Sequence, residues 1–317
     1  MSNYILFDNQ ENYDFLKSDF DGAFYSPKCK KKIISWIKGA YITLRNTKKN
    51  DTIVCWYDFQ AIILFWMSKI MGQRKIICLN ILLKPKTTIK NKLVTILYKC
   101  ALSAKNFKAT VSSHCYGELL NKKFKKSFDY ILLRDVYRDC YQLKCDKVQM
   151  IPKTVFCGGR NGRDWNFLFS LASQMPDVSF RAIMSQNDYK YYQNVITENV
   201  TVMVDVSYEK FCEVIFQSQI VALPLDTEAP AGLIVFFQAI ANERPFIISR
   251  TAATEGYIFN HEEFFLPNDV FLWKEKIKAI ISDYNTWNFK IKEMKNIIEE
   301  ECNEQKFKKK IKEIVNE

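Results

Sequence analysis

Histidine is nearly absent from this chain, with 2 in 317 residues. That excludes a histidine-built metal centre. Glycine (9) and proline (8) are also scarce, and neither a low-complexity linker nor an internal repeat is visible. The longest apolar run, Ala61–Met67, is far short of the roughly 20 residues that span a bilayer. The N-terminal stretch MSNYILFDNQENYDF lacks a signal-peptide core. The 10 cysteines are scattered without a CxxC pair, and the nearest two, Cys140 and Cys145, have neither zinc nor redox spacing. These absences lead us to expect a cytoplasmic chain with reduced thiols.

What is present is globular: 48% hydrophobic and 26% charged residues, in a length that accommodates two ordinary domains. Charge is lopsided. Residues 1–150 hold 27 Lys+Arg against 12 Asp+Glu, a net of +15, while residues 151–317 hold 19 against 23, a net of −4. Lys84–Lys126 carries 11 lysines and one acid, Glu118. The asymmetry points to an anionic partner for the first half: nucleic acid, an acidic membrane surface or a diphospholipid. A merely solvated lysine-rich face accounts for it as well. No RRM, KH or helix-turn-helix signature accompanies the charge, so no nucleic-acid partner is expected.

Apolar segments without alternation are each followed by a helical pattern. In the first half the strands are read at Tyr4–Asp8, Thr52–Tyr57, Lys75–Leu79, Thr110–Ser112 and Asp129–Leu133. Lys31–Leu44 reads as an amphipathic helix, with Ile33, Ile34, Ile37, Ala40 and Tyr41 at helical spacing. The pattern predicts a parallel sheet covered on both faces. Ligands of such sheets sit beyond the carboxyl ends of the strands. That singles out Asp58, Asn80, Ser112–Ser113 and His114. Asp58 is suited either to orient an acceptor hydroxyl or take its proton, or to cap the next helix. His114 is a catalytic candidate or a structural histidine. Within Ile81–Ala104, a helix with Ile89, Leu93, Ile96, Leu97 and Cys100 on one face fits either a membrane interface or a core.

A boundary is read near Tyr141–Pro152. Strand Thr154–Cys157 then runs into Gly158-Gly159-Arg160-Asn161-Gly162-Arg163-Asp164-Trp165. Glycines between strand and helix give an open backbone turn, and arginines there meet a diphosphate by forked hydrogen bonds. Asp164 is equally a helix cap. Strands at Ser179–Met184, Val200–Val204 and Ile220–Pro224 follow. The stretch PLDTEAPAGLIVFFQAIANERPFIISR (Pro224–Arg250) is a strand–loop–helix–strand unit. Its helix opens at Gly232, where free N–H groups favour a phosphate. An ordinary crossover with a buried helix face has the same pattern.

That stretch resembles the nucleotide-sugar signature of GT-B glycosyltransferases of the family 4 type. Gly232, Gln238, Ala239-Ile240-Ala241 and Pro245-Phe246-Ile247-Ile248 fill its slots, and GGRNGRDW resembles the loop opening the donor domain. The resemblance covers residues 150–285; before that it is one of layout. It implies two Rossmann-like domains facing across a cleft: 1–148 for the acceptor, 149–285 for the donor, and a C-terminal segment, 286–317, crossing back to the first. It implies a retaining, metal-independent hexosyltransferase of surface-polysaccharide or capsule synthesis, with no cofactor beyond the nucleotide-sugar donor, a UDP-sugar. The acceptor would be a glycan or a polyprenyl-diphosphate-linked sugar, and Lys84–Lys126 would touch the inner membrane face. Homo- and hetero-oligomers both remain open. By the same resemblance the donor diphosphate would meet Gly158, Gly159, Arg160, Asn161, Arg163, Ala231, Gly232 and Leu233. The nucleoside would meet Ser185, Asp205, Val206, Ser207, Glu228 and Gln238. The chain departs from the family at its paired glutamates. Gln238 fills the second slot and Ala231 the first, with Glu228 the nearest substitute. An inactive GT-B-like partner subunit is the competing expectation.

Overall fold

The computed structural model describes residues 2–8, 14–82, 89–142, 149–159 and 161–316. The chain divides into two compact units, Met1–Asp135 with Glu304–Glu317, and Val136–Asn303.

The first unit runs β1 (Asn3–Phe7), α1 (Asp14–Lys17), β2 (Gly22–Tyr25), α2 (Lys32–Asn46), β3 (Thr52–Cys55), α3 (Asp58–Met71), β4 (Lys75–Cys78), α4 (Ile89–Leu102), β5 (Phe107–Val111), α5 (His114–Phe124) and β6 (Ile131–Leu132). Its sheet has the order β2-β1-β3-β4-β5-β6, with every pairing parallel. The central strands are short, and their apolar runs, as at Ile53–Cys55 and Ile76–Cys78, are buried on both faces.

Helix α2 forms where its periodicity predicts, yet of the five residues read at helical spacing only Ala40 is buried. Ser35, Gly39, Ala40, Thr43 and Leu44 turn inward. Ile33, Ile37 and Tyr41 are 56%, 45% and 48% exposed. Close approach explains this: a Cβ on Gly39 would stand 2.3 Å from the Ser26 hydroxyl, so small residues must line the inner side.

The second unit runs β7 (Ile151–Gly158), α6 (Trp165–Ser173), β8 (Ser179–Met184), α7 (Gln186–Tyr192), β9 (Val200–Val204), α8 (Tyr208–Gln217), β10 (Ser218–Leu223), α9 (Leu233–Ala241), β11 (Phe246–Ser249), β12 (Phe265–Leu266), α10 (Val270–Ser282) and α11 (Tyr284–Glu301). The sheet order is β12-β11-β10-β7-β8-β9, again parallel throughout. The second unit begins earlier than residue 149 because Tyr137 is buried in its core and its N–H donates to the Cys302 carbonyl (2.7 Å). Helix α11 stays with this unit, burying Ile291, Met294 and Ile298.

The last helix, α12 (Glu304–Asn316), belongs to the first unit. Phe307 meets Phe15 and Trp56 at ring distances of 6.2 and 6.3 Å. Lys308 and Lys312 both reach Asp19, at 3.4 and 2.8 Å. Among the described residues, no helix is long and apolar enough to cross a membrane.

Candidate functional site

In the second unit the chain leaves β7 toward β8 and β9, and leaves its neighbour β10 toward β11 and β12. The loops that follow these two strands therefore separate at a topological switch point, where open α/β sheets bind ligands. Here the loops are residues 158–164 and 224–232. They are tied to each other by backbone. Asp164 N–H donates to Pro224 O (3.0 Å), Asp226 N–H donates to Gly162 O (3.1 Å), and Arg163 bridges Leu225. A Cβ on Gly162 would meet Ala231 Cβ at 3.0 Å, so the packing leaves no side chain's width there.

Arg163 lies buried where the loops meet. Its Nε donates to Gly158 O (2.8 Å) and its Nη1 to Asn161 O (3.3 Å). No carboxylate forms an ion pair with it among the described residues. Burial pulls its pKa down, and the fields of Cys157 and Asp226 oppose that. The guanidinium lies against two glycines. A Cβ on Gly159 would stand 2.6 Å from Nη2, and one on Gly232 would stand 3.0 Å from Nη1. Both glycines hold positive φ, +134° and +76°, so backbone and space alike require them. Gly232 is also the N-cap of α9, and it makes no side-chain cap bond. A buried planar cation with donors to spare thus sits beside the first N–H groups of a nine-residue helix. Both features favour an oxyanion, and together they fit a diphosphate.

The other expected donor residues reach the same edge of the sheet, but each has a structural task. Ser185 caps α7, accepting from Asp188 N–H (3.1 Å) and donating to Asp188 Oδ2 (2.7 Å). Ser207 caps α8 by accepting from Lys210 N–H (3.3 Å). Asp205, at φ +45°, accepts from Gln186 N–H (3.2 Å), and Val206 packs on the core. Glu228 accepts from Ala252 N–H (2.6 Å), which ties it to the loop after β11. Leu233 is buried, and Arg160 lies outside the described residues.

Gln238 lies within α9. It is buried under α8, where its Nε2 donates to the Tyr208 hydroxyl (3.1 Å). Its Oε1 is buried without a hydrogen-bond partner among the described residues. Tyr208, half exposed above it, has its hydroxyl pushed up to about 12 by burial, and as the partner of Gln238 it is a residue the sequence did not single out. Its only signal was its place at the first helical position after β9.

In the first unit no hydrogen bond or ion pair among the described residues joins Asp58 to His114. Asp58 is enclosed. Its oxygens accept from Phe59 N–H (2.7 Å) and Leu82 N–H (2.9 Å). Burial pushes its pKa up. The Tyr98 hydroxyl beside it favours the charged form but stops short of hydrogen-bonding geometry, and the two backbone donors act in the same sense. His114 is exposed at the first position of α5, which Ser113 caps. Asn80 donates from Nδ2 to Asp135 (2.8 Å). Asp135 was not foreseen, although it follows β6 as Asp58 follows β3; burial pushes it up to about 6.

No family model and no curated protein matches the chain. Solved structures do. Sucrose-phosphate synthase from Thermosynechococcus elongatus aligns at TM-score 0.71 and 12% identity, over 90% of this chain and 77% of its own. Anabaena HepE, solved with UDP and glucose, aligns at 0.72 and 10% over 100% of both chains. A UDP-forming alpha,alpha-trehalose-phosphate synthase from Burkholderia xenovorans aligns at 0.69 and 9%, over 100% and 99%. At such identities the likeness speaks to architecture, and the architecture of this chain is the GT-B fold.

Proposed function

We propose that the chain is a glycosyltransferase that moves a sugar from a nucleotide-sugar donor, a UDP-sugar, to a glycan or polyprenyl-diphosphate-linked acceptor. The observation that carries this reading is Arg163, buried between Gly159 and Gly232 at the start of α9. Two of the structural neighbours are described as UDP-bound or UDP-forming, which favours uridine as the base. The family 4 resemblance of residues 150–285 adds retention of configuration and a place in bacterial surface-polysaccharide or capsule synthesis, in the cytoplasm at the inner membrane face.

The chemistry follows from the site. The anomeric carbon–oxygen bond to the diphosphate breaks as charge builds on the leaving group. Arg163 and the α9 N-terminus stabilise that charge as fixed dipole and cation, without reorganising. The acceptor oxygen bonds to the same carbon from the face the diphosphate leaves, and its proton passes to the leaving phosphate oxygen. No enzyme nucleophile, metal or cofactor is needed in this scheme.

A second reading, a catalytically inactive GT-B-like partner subunit, is favoured by one observation. Gln238 and Asp58, the residues expected at ribose and acceptor, are both buried and engaged within the protein.

Thermal shift with nucleoside diphosphates, followed by an assay of UDP release from UDP-sugars, separates the readings. A ligand at one hundred times its Kd stabilises the folded state by about 2.7 kcal/mol. A shift with UDP that disappears in Arg163→Ala, together with sugar transfer, supports the enzyme. A shift without transfer supports the partner subunit, and no shift with any nucleoside diphosphate sinks the donor site.

A further inference from the structure

Three neighbouring helices of the first unit turn apolar side chains outward. Helix α2 packs on α3, and α3 on α4. An aromatic chain joins them: Trp36 stacks on Phe59 (5.4 Å), and Phe59 meets Tyr98 edge-on (6.1 Å). On α2, Ile33, Ile34, Ile37 and Tyr41 are exposed. On α3, Phe59, Trp66 and Ile70 recur at helical spacing and are 36%, 38% and 90% exposed. On α4, Leu93 and Ile96 are 59% and 57% exposed, while Tyr98 and Ala101 face the core. Stripes on adjacent helices make one apolar surface, which soluble proteins seldom leave open without a use.

The same region carries no exposed acid. Between Asp21 and Glu118 the sequence holds only the carboxylates Asp51 and Asp58, and both are buried. Asp8, near the start of α2, is tied to Lys32 (3.3 Å) and to Trp36 Nε1 (3.0 Å). Lys31, Lys38, Arg45, Lys69 and Lys92 are exposed on the same helices as the apolar stripes, or beside them. Apolar and aromatic side chains surrounded by cations are what an anionic lipid interface takes up. A second copy of this chain fits poorly, because a two-fold contact would lay the lysines of one copy onto those of the other.

We infer that the outward face of α2, α3 and α4 docks on an anionic lipid surface, with the isoleucines and Trp66 entering the interface and the lysines meeting the headgroups. This deepens the membrane part of the reading above. It also moves the contact from Lys84–Lys126, of which residues 84–88 lie outside the described structure, to three apolar stripes. The test uses no catalytic assay, so docking and sugar transfer fail separately.

The experiment is co-sedimentation of the full chain with vesicles of phosphatidylcholine alone and of phosphatidylcholine with phosphatidylglycerol. Two triple variants are compared: Ile34→Ser/Ile37→Ser/Ile70→Ser removes apolar surface and leaves the charge, and Lys38→Glu/Lys69→Glu/Lys92→Glu does the reverse. Wild type should partition onto the anionic vesicles only. Each triple variant should lose roughly ten-fold or more of that partition while keeping its circular dichroism spectrum. Quenching of wild-type tryptophan fluorescence by brominated anionic lipid, weakened in Trp66→Phe, checks insertion without a multiple variant. Wild type that ignores anionic vesicles overturns the proposal, as does an isoleucine variant that binds like wild type. A dimer in light scattering that the isoleucine variant converts to monomer also overturns it and assigns the face to a second copy.

Discussion

The guanidinium of Arg163 lies against the α-carbon of Gly232, 69 positions later in the sequence, so closely that a Cβ there would come within 3.0 Å of Nη1. A buried cation and a helix start are thereby held as one unit. Substitution at Gly232 should therefore act on both. Alanine would place a side chain at φ +76° and push on the arginine. The left-handed conformation alone costs about 1–2 kcal/mol. We expect Gly232→Ala to lower Tm and to weaken UDP binding together, as read by thermal denaturation and titration calorimetry.

Arg163 itself should separate binding from stability. A buried charge without an ion-pair partner is costly, so removing it need not harm the fold. Arg163→Met is expected to hold or raise the urea midpoint. Loss of charge-assisted hydrogen bonds, worth about 1.5–3 kcal/mol each, should weaken UDP binding by ten-fold or more. A variant that unfolds while retaining nucleotide affinity would reverse this assignment.

Gln238 and Tyr208 form the third test. With the tyrosine hydroxyl removed, the buried Gln238 amide keeps only the weak Cys212 sulfur, at 4.0 Å, as a partner. Tyr208→Phe should cost about 1–3 kcal/mol in chemical denaturation. Gln238→Leu, which removes the buried amide altogether, should cost less. Neither change should alter UDP affinity if the pair is structural; a large affinity loss in Gln238→Leu would restore the glutamine to the nucleoside site.

Asp135 gives the first unit a pH dependence. Burial raises its carboxyl from 3.8 to about 6, with the Asn80 amide opposing the shift. A group raised on folding stabilises the fold while protonated. Its contribution is complete below pH 3.8 and is lost as pH climbs through about 6. Asp58 is shifted in the same direction, so the comparison must be a difference. Urea midpoints across that window should fall less in Asp135→Asn than in wild type.

Much of the fold was legible because its strands are short apolar runs ending in polar residues. β8 and β9 fall at Ser179–Met184 and Val200–Val204 as read, and α9 starts after Gly232. Periodicity located α2 but could not say which side faces the sheet. Close packing on Ser26 demanded small residues there, and that demand lies in a segment outside the helix. The candidate site was legible one loop at a time. Its assembly was not, because Arg163 meets Gly232, Asp58 meets Leu82, and Gln238 meets Tyr208 across separations that no local pattern encodes.

The crossing of α12 into the first unit has a consequence for synthesis. Phe307, Ile311 and Ile314 fill the core of a unit whose other elements are made first. During translation that unit must wait, with part of its interior uncovered, until residues 304–316 have emerged. The second unit, continuous from Val136 to Asn303, has no such wait. The order of folding is therefore the reverse of the order of synthesis: the later-made unit closes first, and the earlier one is the more exposed to chaperone capture and proteolysis on the ribosome.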